Sequence, residues 1–333
     1  MNFLIKIFII LIVLPGRIFS QSDEKFQRYE FSHKSMGTIF RIICYTDQED
    51  IAKQKSVEAF DRIDQLNYIM SDYLPDSELN RLSRSSGSGE YIQVSPDLLK
   101  VIKTGQQWAI KTNGIFDITI GPYSQLWRRA GRKDRLPTPE QINNASECVG
   151  FENIHIDPDN GRVMLGKEGM QLDLGGIAKG FAVDEIFNIF NNAGINQLLV
   201  DGGGDIRTGE APPGKKGWKL VLENLQEDNQ VMYATNTSIA TSGDLYRYVL
   251  LDSVKYGHII DPRTGYGLTI PRSVTIQASN CMEADILAST ISILGAKDGS
   301  GFLHEMHDVK AIIVEEEGGK LKRHEIGEMD FLK

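Results

Sequence analysis

The stretch "LDLGGIAKGFAVDEIFNIFNNAGINQLLVDGGGDI", residues 172–206, decides the fold, because its two glycine clusters admit two incompatible readings. If either cluster were a G-x-G-x-x-G turn between strand and helix, the chain would hold a parallel Rossmann unit with a pyrophosphate on the helix N-terminus. Neither fits. The first cluster has Gly175, Gly176 and Gly180, and the second, Gly202 to Gly204, runs from a strand into "DIRTG" with no helical pattern after it. What remains is a strand, a glycine turn, a helix over about 177–192, and a strand over 197–200 that ends in a glycine triplet suited to a tight turn.

Toward the N-terminus, residues 21–34 are polar and read as a loose lead-in, and "SMGTIFRIICY" reads as a strand entered through Gly37. Apolar residues at helical spacing predict a long helix over about 51–70, which Pro75 cannot continue and after which Asp76 or Ser77 can cap a short helix. "SRSSGSGEY" is a loop, and Ser95 with Pro96 opens a second helix over 95–111. "NGIFDITIGPYSQLW" reads as a turn plus a strand-like segment, and "RRAGRKDRLPTPEQI" as a basic loop. Toward the C-terminus, strands are expected at 218–223, 248–252 and 272–278, a helix at 282–294, and a hairpin in "VKAIIVEEEGGKLKRHE". This order predicts one α+β unit of one or two lobes.

A chain of 333 residues with 41% hydrophobic and 24% charged side chains is long enough to bury a sizeable core. Its first 20 residues differ from the rest. An apolar run from Ile5 to Leu14, broken only by Lys6, precedes Pro15, Gly16 and Ser20, and reads as a secretory signal cleaved near Ser20, with an uncleaved anchor as the alternative. Without residues 1–20, which carry Lys6 and Arg17 and no acid, 34 basic and 45 acidic side chains give a net charge of −11. Such a surface argues against nucleic acid or an anionic membrane as main partner. Cys44, Cys148 and Cys281 are too few for a disulfide framework and lack C-x-x-C spacing, so they read as buried small residues with at most one bridge.

Four places could carry chemistry. On a helix, Asp285, Ala288 and Ser289 share one face, and a carboxylate, a hydroxyl and a nearby carbonyl are the oxygen donors Mg²⁺ selects; a solvated aspartate in a first helical turn is the alternative. Asp117 in "FDITIGP" and Asp173 with Lys179 in "QLDLGGIAKG" flank glycine turns, where single acids usually act as caps. "YGHIIDPRTGYG", residues 256–267, gathers His258, Asp261 and a Pro-Arg-Thr-Gly turn in one loop.

The ordered set "SMGT" (35–38), "MSDYLPDSELNRLS" (70–83), "GIFDITIGP" (114–122), "LDLGGIAKGFAVD" (172–184), "VDGGGDI" (200–206), "IATSGD" (239–244), "GHIIDPRTG" (257–265) and "EADILAST" (283–290) resembles the FAD:protein FMN transferase, or ApbE-type flavin transferase, family over roughly residues 30–315. The resemblance implies a single domain over 21–333 with a mixed, largely antiparallel sheet flanked by helices. It also implies an extracytoplasmic, periplasmic enzyme that binds FAD and Mg²⁺, transfers FMN to a threonine or serine hydroxyl of an acceptor protein and releases AMP. Membrane association would come only through an uncleaved leader or a membrane-bound acceptor. Carried over by position, Met36, Tyr73, Ile115, Phe116, Asp117, Asp173, Lys179 and Ile259 match FAD contacts, and Gly176, Asp285, Ala288 and Ser289 match the metal site. The family pattern ends Ala-Thr where this chain has Ala288-Ser289-Thr290, which leaves open which hydroxyl binds metal.

Transfer of the FMN phosphoryl group requires neutralised charge, an in-line hydroxyl and a proton acceptor. Histidine side chains ordinarily titrate near neutrality, so His258 is the candidate base; Asp261 would orient it or cap the turn, and Arg263 would meet phosphate or solvent. The alternatives are an FAD pyrophosphatase, with water as acceptor, and a periplasmic protein that holds FAD without turnover.

Overall fold

The computed structural model describes residues 26–222, 230–243 and 248–329. The leader at 1–20, the start of the lead-in at 21–25, Glu223 at the end of an expected strand and Asp244 of the "IATSGD" motif lie outside the described residues.

The chain opens with a hairpin, β1 (Gln27–Ser35) and β2 (Thr38–Thr46), followed by α1 (Glu49–Met70) and α2 (Glu78–Arg84). A small three-stranded sheet comes from β3 (Ile92–Gln93), β4 (Ile154–Asp157) and β5 (Arg162–Leu165), and the chain between β3 and β4 carries α3 (Pro96–Lys111), α4 (Gly121–Lys133) and α5 (Pro139–Ser146). Then follow α6 (Ala178–Asn191), β6 (Leu198–Gly202), β7 (Ile206–Thr208), the pair β8 (Trp218–Leu222) and β9 (Gln230–Ala234), and β10 (Thr237–Gly243). A ribbon of β11 (Tyr248–Leu251) and β12 (Val254–Gly257), β13 (Arg272–Ala278), α7 (Cys281–His304), β14 (Lys310–Glu317) and β15 (Lys320–Ile326) complete it.

Eight strands form the main sheet in the order β1-β2-β6-β7-β10-β13-β14-β15, every pair antiparallel. Sheet order follows chain order, so the sheet is a meander whose longer connections carry the helices and smaller sheets. That rules out a doubly wound Rossmann arrangement, which needs parallel neighbours joined by crossover helices.

Alternation along the strands sends side chains to both faces of the sheet. Phe40, Ile42, Cys44, Leu198 and Val200 pack against α1 and α6, while Val274 and Ile276 pack against Leu287, Ala288 and Ile291 of α7. The opposite face, including Leu199, Ile239, Ile312 and Val314, is covered by Trp218, Leu220, Leu222 and Met232 of the β8–β9 pair. Helices therefore occupy one face and a β-ribbon the other.

Four expectations change. Residues 27–35 are a full strand: Tyr29 and Phe31 alternate inward against the core while polar neighbours face out, as an edge strand permits. The strand-like segment after Asp117 and the start of the basic loop are helix α4, where Tyr123, Ser124, Trp127 and Ala130 form one buried stripe and the arginines take the other faces. Pro122 opens that helix. Pro139 does the same for α5, which Thr138 and Gln141 close with a capping box. Finally, α7 breaks at Gly295, at φ 81°, so its first part ends at 294 as expected, while a second helical part, not foreseen, follows to His304; at the break Glu315 accepts from the Ala296 N–H and from Arg272, and Arg272 donates to the Ser292 carbonyl.

Cys44 and Cys281 are fully buried and Cys148 is half-buried, all three as free thiols; burial pushes the Cys44 thiol up to about 11. Among the described residues no helix is long and apolar enough to cross a membrane.

Candidate active site

The site begins where α6 and α7 touch. A Cβ on Gly180 would lie 2.4 Å from the Cys281 carbonyl oxygen, so only glycine allows this approach. The first turn of α7 needs acceptors for its unpaired N–H groups, and two side chains supply them. Asn280 accepts from Glu283 N at 2.9 Å, and Asp184, reaching across from α6, accepts from Cys281 N and Met282 N at 3.0 Å each and from Arg207 at 2.7 Å. Asp184 thus fixes the register of α7 on α6.

That register decides where Asp285 and Ser289 point. Asp285 is 5% exposed, accepts from Gly180 N at 3.2 Å and faces the Lys179 ammonium at 3.4 Å, which removes the reading of a solvated helix-start aspartate. One turn later, Ser289 Oγ lies 2.9 Å from where a Gly176 Cβ would sit, with the Phe116 ring 3.3 Å from the same point. The structure therefore brings together Gly176, Lys179, Asp285 and Ser289, with Ala288 buried beneath them. Thr290 is excluded from this group, because it is fully buried and donates its hydroxyl to the Ile286 carbonyl at 2.7 Å.

Asp205 joins the site, unforeseen from sequence. It sits at the end of the glycine triplet, whose turn is closed by Asp201 accepting from Gly203 N and Gly204 N at 2.9 Å, and it bonds Lys179 Nζ at 2.5 Å. Two nearly buried carboxylates then share one ammonium. Burial, and after it the charge of Asp285, push the Asp205 carboxyl up to about 7. Burial would lower the Lys179 ammonium, yet Asp205 and Asp285 hold it above its ordinary value. The pocket carries more negative charge than Lys179 balances. With a carboxylate and a hydroxyl on successive turns of α7 beside a glycine backbone, its donor set fits a hard divalent cation.

A second wall faces this one. Residues 118–121 run alongside 171–173, with Asp173 N donating to the Ile118 carbonyl at 2.8 Å and Gly121 N to the Gln171 carbonyl at 3.2 Å. Ile115 and Phe116 are buried within it. Asp117 accepts from Thr119 N and Oγ1 at 2.8 and 2.7 Å, and burial raises its carboxyl. Asp173 accepts from Gly175 N at 2.8 Å. Both acids cap turns, and Asp173 has a further partner: Arg128 of α4 stands 3.5 Å from it, bonds Asp72 at 2.5 Å and lies 4.0 Å from the centre of the Tyr73 ring, which is 72% exposed. Met36, at φ 48° in the β1–β2 turn, packs against the core on the α1 and α6 side.

The His258 loop hangs on α4. Gly257 N donates to the Leu268 carbonyl at 2.7 Å and Leu268 N to the Ile259 carbonyl at 3.0 Å, and Trp127 Nε1 donates to the Gly265 carbonyl at 2.7 Å. Gly265, at φ 72°, leaves room for Tyr123, and Ile260 is buried with Tyr123 and Trp127. His258 is exposed and Ile259 half-buried. Asp261 is bound within its own turn, accepting from Arg263 N at 2.9 Å and from the Arg263 guanidinium at 2.7 Å, so it is the turn's cap and Arg263 is its partner. A groove of about 490 Å³ lined by Tyr256, Asp261, Tyr266, Arg272 and Ile293 runs between this loop and α7.

Sequence reading missed Asp72, Arg128, Asp184 and Asp205. Asp72, Asp184 and Asp205 stood in or beside quoted motifs, so position could have marked them. Arg128 carried no such signal while its segment read as a loop.

An antiparallel meander with helices on one face and an acid–hydroxyl pair beside a glycine turn defines a class of α+β protein distinct from the Rossmann dinucleotide binders. The ApbE family profile matches residues 36–313. "FAD:protein FMN transferase" of Vibrio cholerae serotype O1 is 33% identical over 284 residues, 82% of this chain and 83% of that protein, and the protein of the same name from Haemophilus influenzae is 31% identical over 79% and 80%. The solved structure "Flavin Transferase ApbE from Vibrio cholerae" superposes with a TM-score of 0.82 at 28% identity, covering 90% of this chain and 97% of that one. The chain belongs to the ApbE family.

Proposed function

We propose that this protein transfers the FMN half of FAD to a threonine or serine hydroxyl of an acceptor protein and releases AMP, with Mg²⁺ at the site built by α6 and α7. The observation that carries the reading is the placement of Asp285, Ser289 and Gly176 against one another beside the Lys179–Asp205 pair, in a chain whose family relatives are named for this reaction. Asp285 Oδ, Ser289 Oγ and the Gly176 backbone would hold the ion, and Ala288, a small side chain between the two ligands, leaves them room. When bound, Mg²⁺ neutralises charge on the FAD pyrophosphate.

The remaining roles fall to the chain's own side chains. Lys179 sets a second positive charge beside the diphosphate. Tyr73, Met36, Ile115, Phe116 and Ile259 offer apolar and ring surface to the planar groups of FAD. Asp117 and Asp173 hold the turns that shape this wall. His258, exposed at the end of β12, takes the proton from the acceptor hydroxyl as its oxygen bonds to the FMN phosphorus. The bond from that phosphorus to the bridging oxygen breaks, AMP leaves with that oxygen, and the proton passes from His258 to water. Asp261 supports this step by fixing the turn that follows the histidine.

The apolar leader at 1–20 supports an extracytoplasmic place of work, which for a Gram-negative cell is the periplasm. The acceptor would then be a membrane-bound or secreted protein.

Purified protein incubated with FAD, Mg²⁺ and a candidate acceptor separates the outcomes. The proposal expects fluorescent acceptor and AMP, with His258→Ala and Asp285→Ala each slower by roughly a hundredfold or more. Free FMN with AMP would indicate hydrolysis, and unchanged FAD would indicate storage. Full transfer by either variant would remove the role given to that residue.

A further inference from the structure

The surroundings of Arg128 do more than bury a charge. Its guanidinium is shared by two acids that stand in different segments: Asp72 at 2.5 Å, which directly precedes Tyr73, and Asp173 at 3.5 Å, whose other oxygen accepts from Gly175 N at 2.8 Å. The same group lies 4.0 Å from the Tyr73 ring centre. Next to it on α4, Trp127 holds the His258 loop through the Gly265 carbonyl. One helix turn is therefore tied to three parts of the site: the exposed ring of Tyr73, the glycine turn leading to Gly176, and the histidine loop.

An aromatic side chain 72% exposed has little packing of its own to set its angle. A planar cation against the ring supplies that constraint, and an ion pair from the preceding residue fixes the backbone beneath it. Both carboxylates meet the same guanidinium nitrogen, Nη2, so lysine in place of arginine would keep the charge and lose the plane that stacks on the ring.

From this geometry we infer that Arg128 is a positioning residue for FAD: it sets the Tyr73 ring as a stacking platform and ties that platform to the glycine turn at Gly175 and Gly176. The inference rests on the FAD reading above. Arg128 acts through Tyr73, so its effect on FAD affinity belongs to the pair and not to the arginine alone.

A double-mutant cycle on the full chain reads this directly, with FAD affinity followed by quenching of flavin fluorescence in the absence of acceptor. Arg128→Lys is expected to weaken FAD binding about tenfold in the wild-type background and less than about twofold in the Tyr73→Ala background. Tyr73 is exposed, so its truncation leaves the core intact, and thermal melting of all four proteins establishes that they are folded. Equal weakening in both backgrounds, or none in the wild-type background, overturns the inference. If the wild-type protein binds FAD and shows the coupling but transfers no FMN, the transferase reading fails and the positioning role stands. If the wild-type protein binds no FAD, both fall.

Discussion

Ser289 and Thr290 stand side by side in sequence and could not be ranked there, since both carry a hydroxyl one helical turn beyond Asp285. Helix phase separates them: Ser289 faces Gly176, and Thr290 is turned inward to donate to the Ile286 carbonyl. Ser289→Ala should therefore lower Mg²⁺-dependent transfer by about tenfold or more, whereas Thr290→Val should leave transfer near wild type and cost about 1 kcal/mol of stability. Rate measurements across a Mg²⁺ titration check this, and the reverse ranking would mean that the helix presents its other face. Asp72 carries a separate expectation. Burial, then Asp173, raise its carboxyl to about 6 in spite of Arg128, so the folded protein holds that proton more tightly than the unfolded chain does. The stabilisation is complete below the ordinary aspartate range, near 4, and is lost as pH rises through about 6. Asp72→Asn mimics the protonated form, so its thermal midpoint relative to wild type should climb between pH 4 and pH 7. A relative midpoint that falls over that range would place Asp72 in a net attractive field.

Among the elements, α7 matters most, because everything placed on it depends on how its first turn is seated. Asp184 satisfies two of the N–H groups there and pairs Arg207 besides. Asp184→Ala should cost roughly 2–4 kcal/mol in denaturant unfolding, since it leaves buried donors and an arginine unpartnered. A loss under about 0.5 kcal/mol would show that Gly180 packing alone seats the helix. The elements also show what the sequence could express. Helical patterning located α1, α3 and α6, with Ser95 the cap of α3, and a β-branched run located β13 within its observed bounds. β1 escaped because half of its residues face solvent, and α4 because its apolar stripe is narrow and its arginines dominate the composition. Contacts between distant segments, such as Arg128 with Asp72 and Asp173, have no local pattern and become visible only after folding.

At the scale of the whole molecule, the meander keeps its antiparallel sheet as a frame and leaves the candidate site to what lies between strands. The excursion between β2 and β6 supplies Tyr73, Phe116, Arg128, Asp173 and Lys179; that between β10 and β13 supplies His258; and α7, between β13 and β14, supplies Asp285 and Ser289. Eight ordered motifs reveal family membership from sequence because each excursion retains its own signature, even where its secondary structure is misread. The central claim is that these excursions converge to move FMN from FAD onto a protein hydroxyl. Intact-mass and peptide mass spectrometry of an acceptor protein, after incubation with this enzyme, FAD and Mg²⁺, tests it most directly. The account predicts a single FMN phosphoester on a threonine or serine, formed with one AMP per acceptor and abolished by chelating the metal. An acceptor of unchanged mass beside intact FAD, or beside free FMN and AMP, would contradict it.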